Sequence, residues 1–257
     1  MGGASGATYR NPLTGSKLSI QDLVSREAIQ NGDDATPDAN TTIRAIFSVL
    51  EGGQKSAFVE HAGLKDQFKQ HYHAQQNVDQ NIFDSLLEPD TPFECLYIED
   101  DGKGLGGETF DDSSDFFKFC LGFGDPEKLD DVTGTGGSYG YGKSVFSTAS
   151  KIRAIFVYSV CRADQVPEGQ ETRLIGLSWL DKHKLGGNAF SGRGFFGVID
   201  EGASEFTVNP FVGVEAHQQA EKLGFRLRQP DETGLSILVL ANSLRPDLFC
   251  RSVETHW

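Results

Sequence analysis

From Asp100 to Gly142 the chain passes through a long stretch rich in Gly and Asp. Both residues favour turns over regular elements. A segment of this length is therefore a surface excursion of the kind that serves as a lid over a site. It is entered from a good strand, Phe93–Glu99 (FECLYIE), and left into a helix start at Lys143–Ala149. A short helix near Phe116–Leu121 is the one interruption expected within it.

The flanking sequence predicts an ordered alternation around this excursion. Residues 1–17 are rich in Gly and Ser and read as a flexible N-terminal arm. Ser19 or Asp22 is suited to cap a helix that runs through Leu23, Val24, Ala28 and Ile29 to about Ala35. Thr42–Leu50 reads as a strand, Lys55–Gln76 as mainly helical and Asn81–Leu87 as a short helix. After the excursion, strands are expected at Ile152–Cys161, Thr172–Leu180, Phe195–Ile199 and Gly234–Leu240, with an amphipathic helix at Val214–Leu223. Helices first and then mostly antiparallel strands make an α+β protein, one sheet with helices on one face. Residues 18–245 form the expected domain, and 246–257 the start of a linker or a following domain.

Composition narrows the function classes. A chain of 257 residues with 38% hydrophobic residues and 19 Phe can bury a sizeable core. The formal net charge of -14 repels phosphate backbones, so direct nucleic-acid binding by this segment is not expected. Cys95, Cys120, Cys161 and Cys250 are far apart and form no C-x-x-C pair, which fits reduced thiols better than zinc or disulfides. His71 and His73 lie in a polar stretch and read as a solvated helix face. No run of about 18 apolar residues suggests a membrane span, and the expected location is cytoplasmic.

Three motifs carry chemistry. In SREAIQNGDDA, helical spacing puts Glu27, Asn31 and Asp34 on one face. An Asn amide oxygen is a hard neutral ligand suited to Mg²⁺, which takes few protein ligands. A Glu one turn earlier can orient and deprotonate a water for attack on a γ-phosphate. Taken alone, the stripe reads equally well as a solvated helix face.

In IEDDGKGLGG, a strand delivers Asp100 to the edge of the sheet, followed by Gly102 and Gly104 as D-x-G-x-G. Its carboxylate can accept a hydrogen bond from an amino group such as that of adenine. The glycines let the backbone approach a flat ligand. A plain Asp-Gly turn is the alternative.

In GGSYGYGKS, Gly137, Gly140 and Gly142 lead into a helix start, an arrangement that favours phosphate. Gly137–Ser144 also spells the P-loop formula, including Lys143 and Ser144. That formula requires a buried apolar strand immediately before the first Gly. EKLDDVTGTG stands there instead, so the P-loop reading is the runner-up.

In this order, a Glu/Asn/Asp helix, a strand with D-x-G-x-G, a long lid and G-x-x-G-x-G at a helix start, the sequence resembles the GHKL (Bergerat-fold) ATPase superfamily. That group includes DNA gyrase B subunits, the large heat-shock chaperones, MutL mismatch-repair proteins, MORC proteins and sensor histidine kinases. The resemblance implies a two-layer α/β sandwich with a mixed, mainly antiparallel sheet, and it implies ATP and Mg²⁺. On it, Glu27 takes the general-base position and Asn31 that of the Mg²⁺ ligand. Asp34 completes the N-x-x-D-A ending, and Asp100 is the adenine-binding acid. Gly102, Gly104 and Leu105 sit beside the base, while Gly137, Gly140, Gly142, Lys143 and Ser144 belong to the phosphate side. The superfamily's late Thr is displaced. In DETGLSILVL, Thr233 precedes the Gly and Leu235 stands in the usual place, so Thr233 or Ser236 substitutes.

The function this implies is Mg²⁺-dependent ATP binding and hydrolysis, driving nucleotide-dependent homodimerisation or movement in a larger assembly, with a further domain or subunit completing the site. A non-hydrolytic, ATP-gated interaction module shares the same pocket. A sensor-type kinase would need a phosphoacceptor His on an upstream dimerising helix, and only the short arm precedes this pocket.

Overall fold

The computed structural model describes residues 18–36, 40–122, 142–200, 207–229 and 231–257. The expected arm, 1–17, lies outside them, as do Gly137 and Gly140. Helix α1 spans Ile20–Ala35. It starts where Ser19 and Asp22 cap one another: Asp22 N donates to Ser19 Oγ at 3.2 Å and Ser19 N donates to Asp22 Oδ2 at 2.9 Å. Strand β1 (Ile43–Leu50) follows, then helices α2 (Gly52–His61), α3 (Lys69–His73) and α4 (Gln80–Leu87), with a π-helical turn at Leu64–Phe68. Strand β2 (Phe93–Asp100) leads into the excursion, which contains a second π-helical turn at Phe117–Leu121. Beyond it come α5 (Gly142–Thr148), β3 (Ala154–Val160) and β4 (Thr172–Trp179).

A hairpin of β5 (His183–Leu185) and β6 (Asn188–Phe190) precedes β7 (Arg193–Phe196). Then come β8 (Val198–Asp200), β9 (Thr207–Asn209), β10 (Phe211–Val212), α6 (Gly213–Lys222), β11 (Gly234–Val239) and α7 (Pro246–His256). The single strand expected at Phe195–Ile199 is split at Gly197. A Cβ there would lie 2.3 Å from the Asn209 carbonyl oxygen. Residues before this close approach pair with β4, and those after it pair with β9.

The main sheet has seven strands in the order β1-β2-β11-β3-β4, with β10 and β7 sharing the outer edge of β4. Every strand pair among the described residues is antiparallel. Because β11 is antiparallel to both of its neighbours, β2 and β3 run in the same direction with the last strand inserted between them. The α+β class and the mainly antiparallel, open sheet are thus observed.

Helices cover both faces of this sheet, making three layers where helices on one face were expected. Strands β3, β4 and β11 are buried along their whole length, so each presents apolar side chains to both sides. One face packs Leu96, Ile98, Ile155, Val157, Ile237 and Val239 against Val24 and Ala28 of α1, Val145 and Phe146 of α5 and Phe249 of α7. The other packs Tyr97, Phe156, Tyr158 and Leu238 under Phe58, Tyr72 and Phe83 of the α2–α4 segment and Ala216 and Ala220 of α6.

The segment expected to begin a linker, 246–257, is helix α7, and it belongs to this domain. Ser252 Oγ lies 2.7 Å from Ser25 Oγ and donates to Asp22 Oδ1 at 2.7 Å, both on α1. Phe249 meets Phe47 of β1 edge-on at 5.8 Å. Pro246 at the first helical turn and Asp247 beside it are good helix starters, which explains why a helix forms there. No helix among the described residues is long and apolar enough to cross a membrane.

Candidate functional site

Asp100 ends β2, and strand alternation sets its direction. It lies on the same side as Leu96 and Ile98, the face that α1 covers. Its carboxylate is buried. Gly102 N donates to Oδ1 at 2.9 Å and Leu235 N donates to the same oxygen at 3.1 Å. Both bonds converge on one oxygen, and Oδ2 takes no hydrogen bond among the described residues. Burial is the main cause that raises the Asp100 pKa above its ordinary value. The two backbone donors and the charge of Arg228 oppose the rise, and Asp101 adds to it.

The loop after Asp100 is fixed by close contacts that only glycines allow. A Cβ on Gly102 would lie 2.6 Å from Cβ of Ala35, the last residue of α1. Gly104 has φ +72° and presses on the end of β3, where an added Cβ would lie 2.4 Å from the Val160 carbonyl oxygen. Leu105 N then donates to Ser159 Oγ at 2.8 Å. Thr233 Oγ1 donates to the Gly102 carbonyl at 2.7 Å, so this hydroxyl does reach the D-x-G-x-G loop. Ser236, the other expected substitute, faces the opposite side of the sheet beside Glu99 and accepts from Arg228 at 3.0 Å.

The contact between Gly102 and Ala35 brings the first motif to the second. Gly32 lets α1 come down on the sheet, because a Cβ there would lie 2.7 Å from Ile43 Cδ1. Along the same helix Glu27 and Asn31 are half-buried and Asp34 is exposed. Burial raises the Glu27 pKa, with Asp34 adding to the rise and the Asn31 side chain opposing it. The Asn31 amide leans toward the Glu27 carboxylate, and its buried Nδ2 makes no hydrogen bond of full geometry among the described residues. Asp33 and Asp34 occupy the last turn of α1, which holds no basic residue. The helix dipole is negative there, so this end of the helix attracts a cation.

Two buried arginines fix the backbone around the site, and the sequence reading gave neither of them a role there. Arg228 reaches the Asp100 carbonyl at 2.6 Å, the Leu235 carbonyl at 3.0 Å and the Thr233 carbonyl at 2.7 Å. It thereby joins the end of β2 to the start of β11. Arg173 is fully buried, donates to the carbonyls of Leu105 at 2.7 Å and Gly107 at 2.9 Å, and lies 4.4 Å over the Phe116 ring. The available signal was an Arg inside the otherwise uncharged strand TRLIGLSW, since a buried charge needs partners for most of its donors.

Residues Gly142, Lys143 and Ser144 form the first turn of α5, which packs against α1. The last described strand before Gly137 is β2, ending at Asp100, and the strand after α5 is antiparallel to both of its neighbours. Neither feature is the parallel strand–loop–helix context of a P-loop. His71 and His73 are not a solvated face. His71 Nδ1 lies 2.8 Å from His183 Nε2, and His73 lies 3.2 Å from Asp84.

No cluster of three His, Cys, Asp or Glu residues suited to a metal occurs among the described residues. A cavity of about 880 Å³ lies at the opposite end of the strands and shares no residue with this site. The Asp100 site is therefore singled out by its polar chemistry and not by volume. No protein-family model and no curated protein matches the chain.

Proposed function

We propose that the chain binds ATP with Mg²⁺ between α1 and the Asp100 loop, as a GHKL-type domain does, and hydrolyses it. The observation that carries this reading is the buried Asp100 carboxylate, with Oδ1 held by two backbone donors and Oδ2 without one among the described residues. A free carboxylate oxygen beside a glycine loop accepts the exocyclic amino group of adenine, and the loop gives a flat base room to lie against the backbone. The acidic end of α1, the half-buried Asn31 and the half-buried Glu27 suit the phosphate end.

The residues present fit a Mg²⁺ ion by donor type. Asn31 would offer its amide oxygen, with Nδ2 turned toward the Glu27 carboxylate, and the remaining ligands would be phosphate oxygens and water. Bound there, Mg²⁺ supplies neutralisation of charge on the phosphate oxygens. Glu27 then orients the attacking water and takes its proton, and a raised carboxyl pKa makes it a stronger base. Asp34 keeps Glu27 basic through its charge. Dimerisation on nucleotide binding, and completion of the site by another domain or subunit, belong to the same proposal.

The test is binding calorimetry with ATP, with and without Mg²⁺, followed by a steady-state ATPase assay. Glu27→Ala is expected to bind ATP and lose turnover. Asp100→Asn keeps an acceptor for the two backbone donors but turns an N–H toward the base. It should lose about 1.5–3 kcal/mol of binding, or roughly 10- to 150-fold in affinity. If both variants hydrolyse ATP like the parent, the reading is wrong. Loss confined to Lys143→Ala would instead support the P-loop reading of Gly137–Ser144.

A further inference from the structure

The cavity of about 880 Å³ is formed where β3 begins and β4 and β11 end. That is the upper part of the size range of small-molecule sites. Its walls are aromatic: Phe68, Phe117, Phe156, Phe190, Phe195 and Phe196 all line it. Phe190 and Phe195 are each 37% exposed. Rings left more than a third in solvent around a hollow offer apolar surface to a ligand.

One wall carries a polar device whose protonation the hydrogen bonds dictate. His183 Nδ1 lies 2.8 Å from the Asp181 carbonyl oxygen, which can only accept, so Nδ1 carries the hydrogen. In the neutral ring His183 Nε2 is then bare, and it accepts from Nδ1–H of His71 at 2.8 Å. His71, neutral in turn, keeps a lone pair on Nε2. Burial first, and His183 second, hold the His71 pKa below its ordinary value, so the ring is neutral at pH 7. Phe190 meets the His71 ring edge-on at 4.6 Å and stacks on His183 at 5.5 Å, which locks both orientations. With both rings neutral, His71 lines the cavity with an acceptor at Nε2, and Asp66, exposed on the same lining, adds a second. The cationic side chain on the lining, Arg193, is held by the Leu121 carbonyl at 3.0 Å and lies 5.0 Å over the Phe195 ring.

We propose that this cavity is a second small-molecule site, whose ligand is a planar aromatic molecule bearing a hydrogen-bond donor, of the phenol or indole type. Flat rings match the phenylalanine walls through edge-to-face and offset contacts, and the donor is read by His71 Nε2. The site shares no residue with the proposed nucleotide pocket, so either assignment can fail without the other.

The experiment is calorimetric titration of the full chain with 2-naphthol and with 2-methoxynaphthalene, which keeps the rings and lacks the donor. Parent protein is expected to bind 2-naphthol saturably at one site, about tenfold more tightly than the ether. His71→Ala should bring 2-naphthol down to the affinity of the ether. Phe190→Ala should weaken both probes, and thermal melts should establish that each variant is folded. Absence of saturable binding, equal affinity of the parent for the two probes, or a preference that survives in folded His71→Ala would each overturn the proposal.

Discussion

Gly102→Ala is the most direct probe of how the two halves of the proposed nucleotide site are held together. The backbone of Gly102 is not in the left-handed region, so an Ala there carries no intrinsic strain and the contact alone decides the outcome. The new methyl would lie 2.6 Å from Ala35 Cβ and 3.1 Å from Asp100 Oδ1. Carbon pairs prefer roughly 3.5–4.0 Å, so α1 or the loop must retreat by about 1 Å. Overpacking of one methyl costs about 1–3 kcal/mol. For a domain of this size that lowers Tm by roughly 2–4 °C per kcal/mol.

The retreat also separates Asn31 from Asp100, so ATP affinity should fall with stability. Ala35→Gly removes the atom that is struck, at a cost below about 1 kcal/mol because Ala35 is the last helical residue. The pair of substitutions should therefore recover about 1–2 kcal/mol relative to the sum of the singles, measured by urea unfolding in a double-mutant cycle. Additivity of the two within about 0.5 kcal/mol would show that Gly102 and Ala35 do not press on one another, and the geometric link between the motifs would be lost.

Further outcomes follow from the buried carboxylates and the helix cap. Glu27 must be ionised to act as a base, and its pKa is raised, so ATPase activity should fall with acid at a higher pH than an ordinary Glu would give. Asp34→Asn should move that acid limb downward, as a pH–rate profile would record. An Asp whose pKa is raised favours the folded state less once ionised. Asp100→Asn should accordingly keep or raise Tm at pH 7 by up to the equivalent of about 1 kcal/mol while losing nucleotide. Asp22 is held down at about 2, chiefly by Ser19 and then by Ser252. Its folded pKa lies below its unfolded value, so its contribution is complete above about pH 4 and is lost as pH falls toward 2. Ser252→Ala should move acid unfolding to higher pH, and Ser19→Ala should cost about 1 kcal/mol at neutral pH.

Much of this fold was legible because its elements announce themselves locally. Ser19 and Asp22 mark the start of α1, and FECLYIE, AIFVYSV and GLSILV can scarcely be anything but buried strands. Asp100 was legible for the same reason, since it is the first polar residue of a Gly-rich turn at the end of such a strand. What escaped was set by distant contacts. The Gly197 break depends on the Asn209 carbonyl, and the pairing of His71 with His183 depends on the β5–β6 hairpin. Helix α7 was readable in principle from Pro246 and the spacing of Phe249 and Val253, yet its assignment to this domain needed Ser25 and Phe47 as partners. Arg228 was invisible because its role lies in bonds to carbonyls that the sequence does not locate.

The position of β11 has a consequence for how the chain reaches this state. Residues 234–239 fill the slot between β2 and β3, which are themselves contiguous in neither space nor sequence. Until that strand arrives, both of its neighbours carry an open apolar edge of the kind that recruits other chains. The amide of Leu235 that steadies Asp100 arrives with it. A nascent chain emerging from its N-terminus first therefore holds an incomplete sheet until residues 234–239 have been made. The step that seals the core is a long-range insertion, intrinsically slow and exposed to aggregation. The proposed nucleotide site at Asp100 would then be completed only at the end of folding, together with the closing of the sheet.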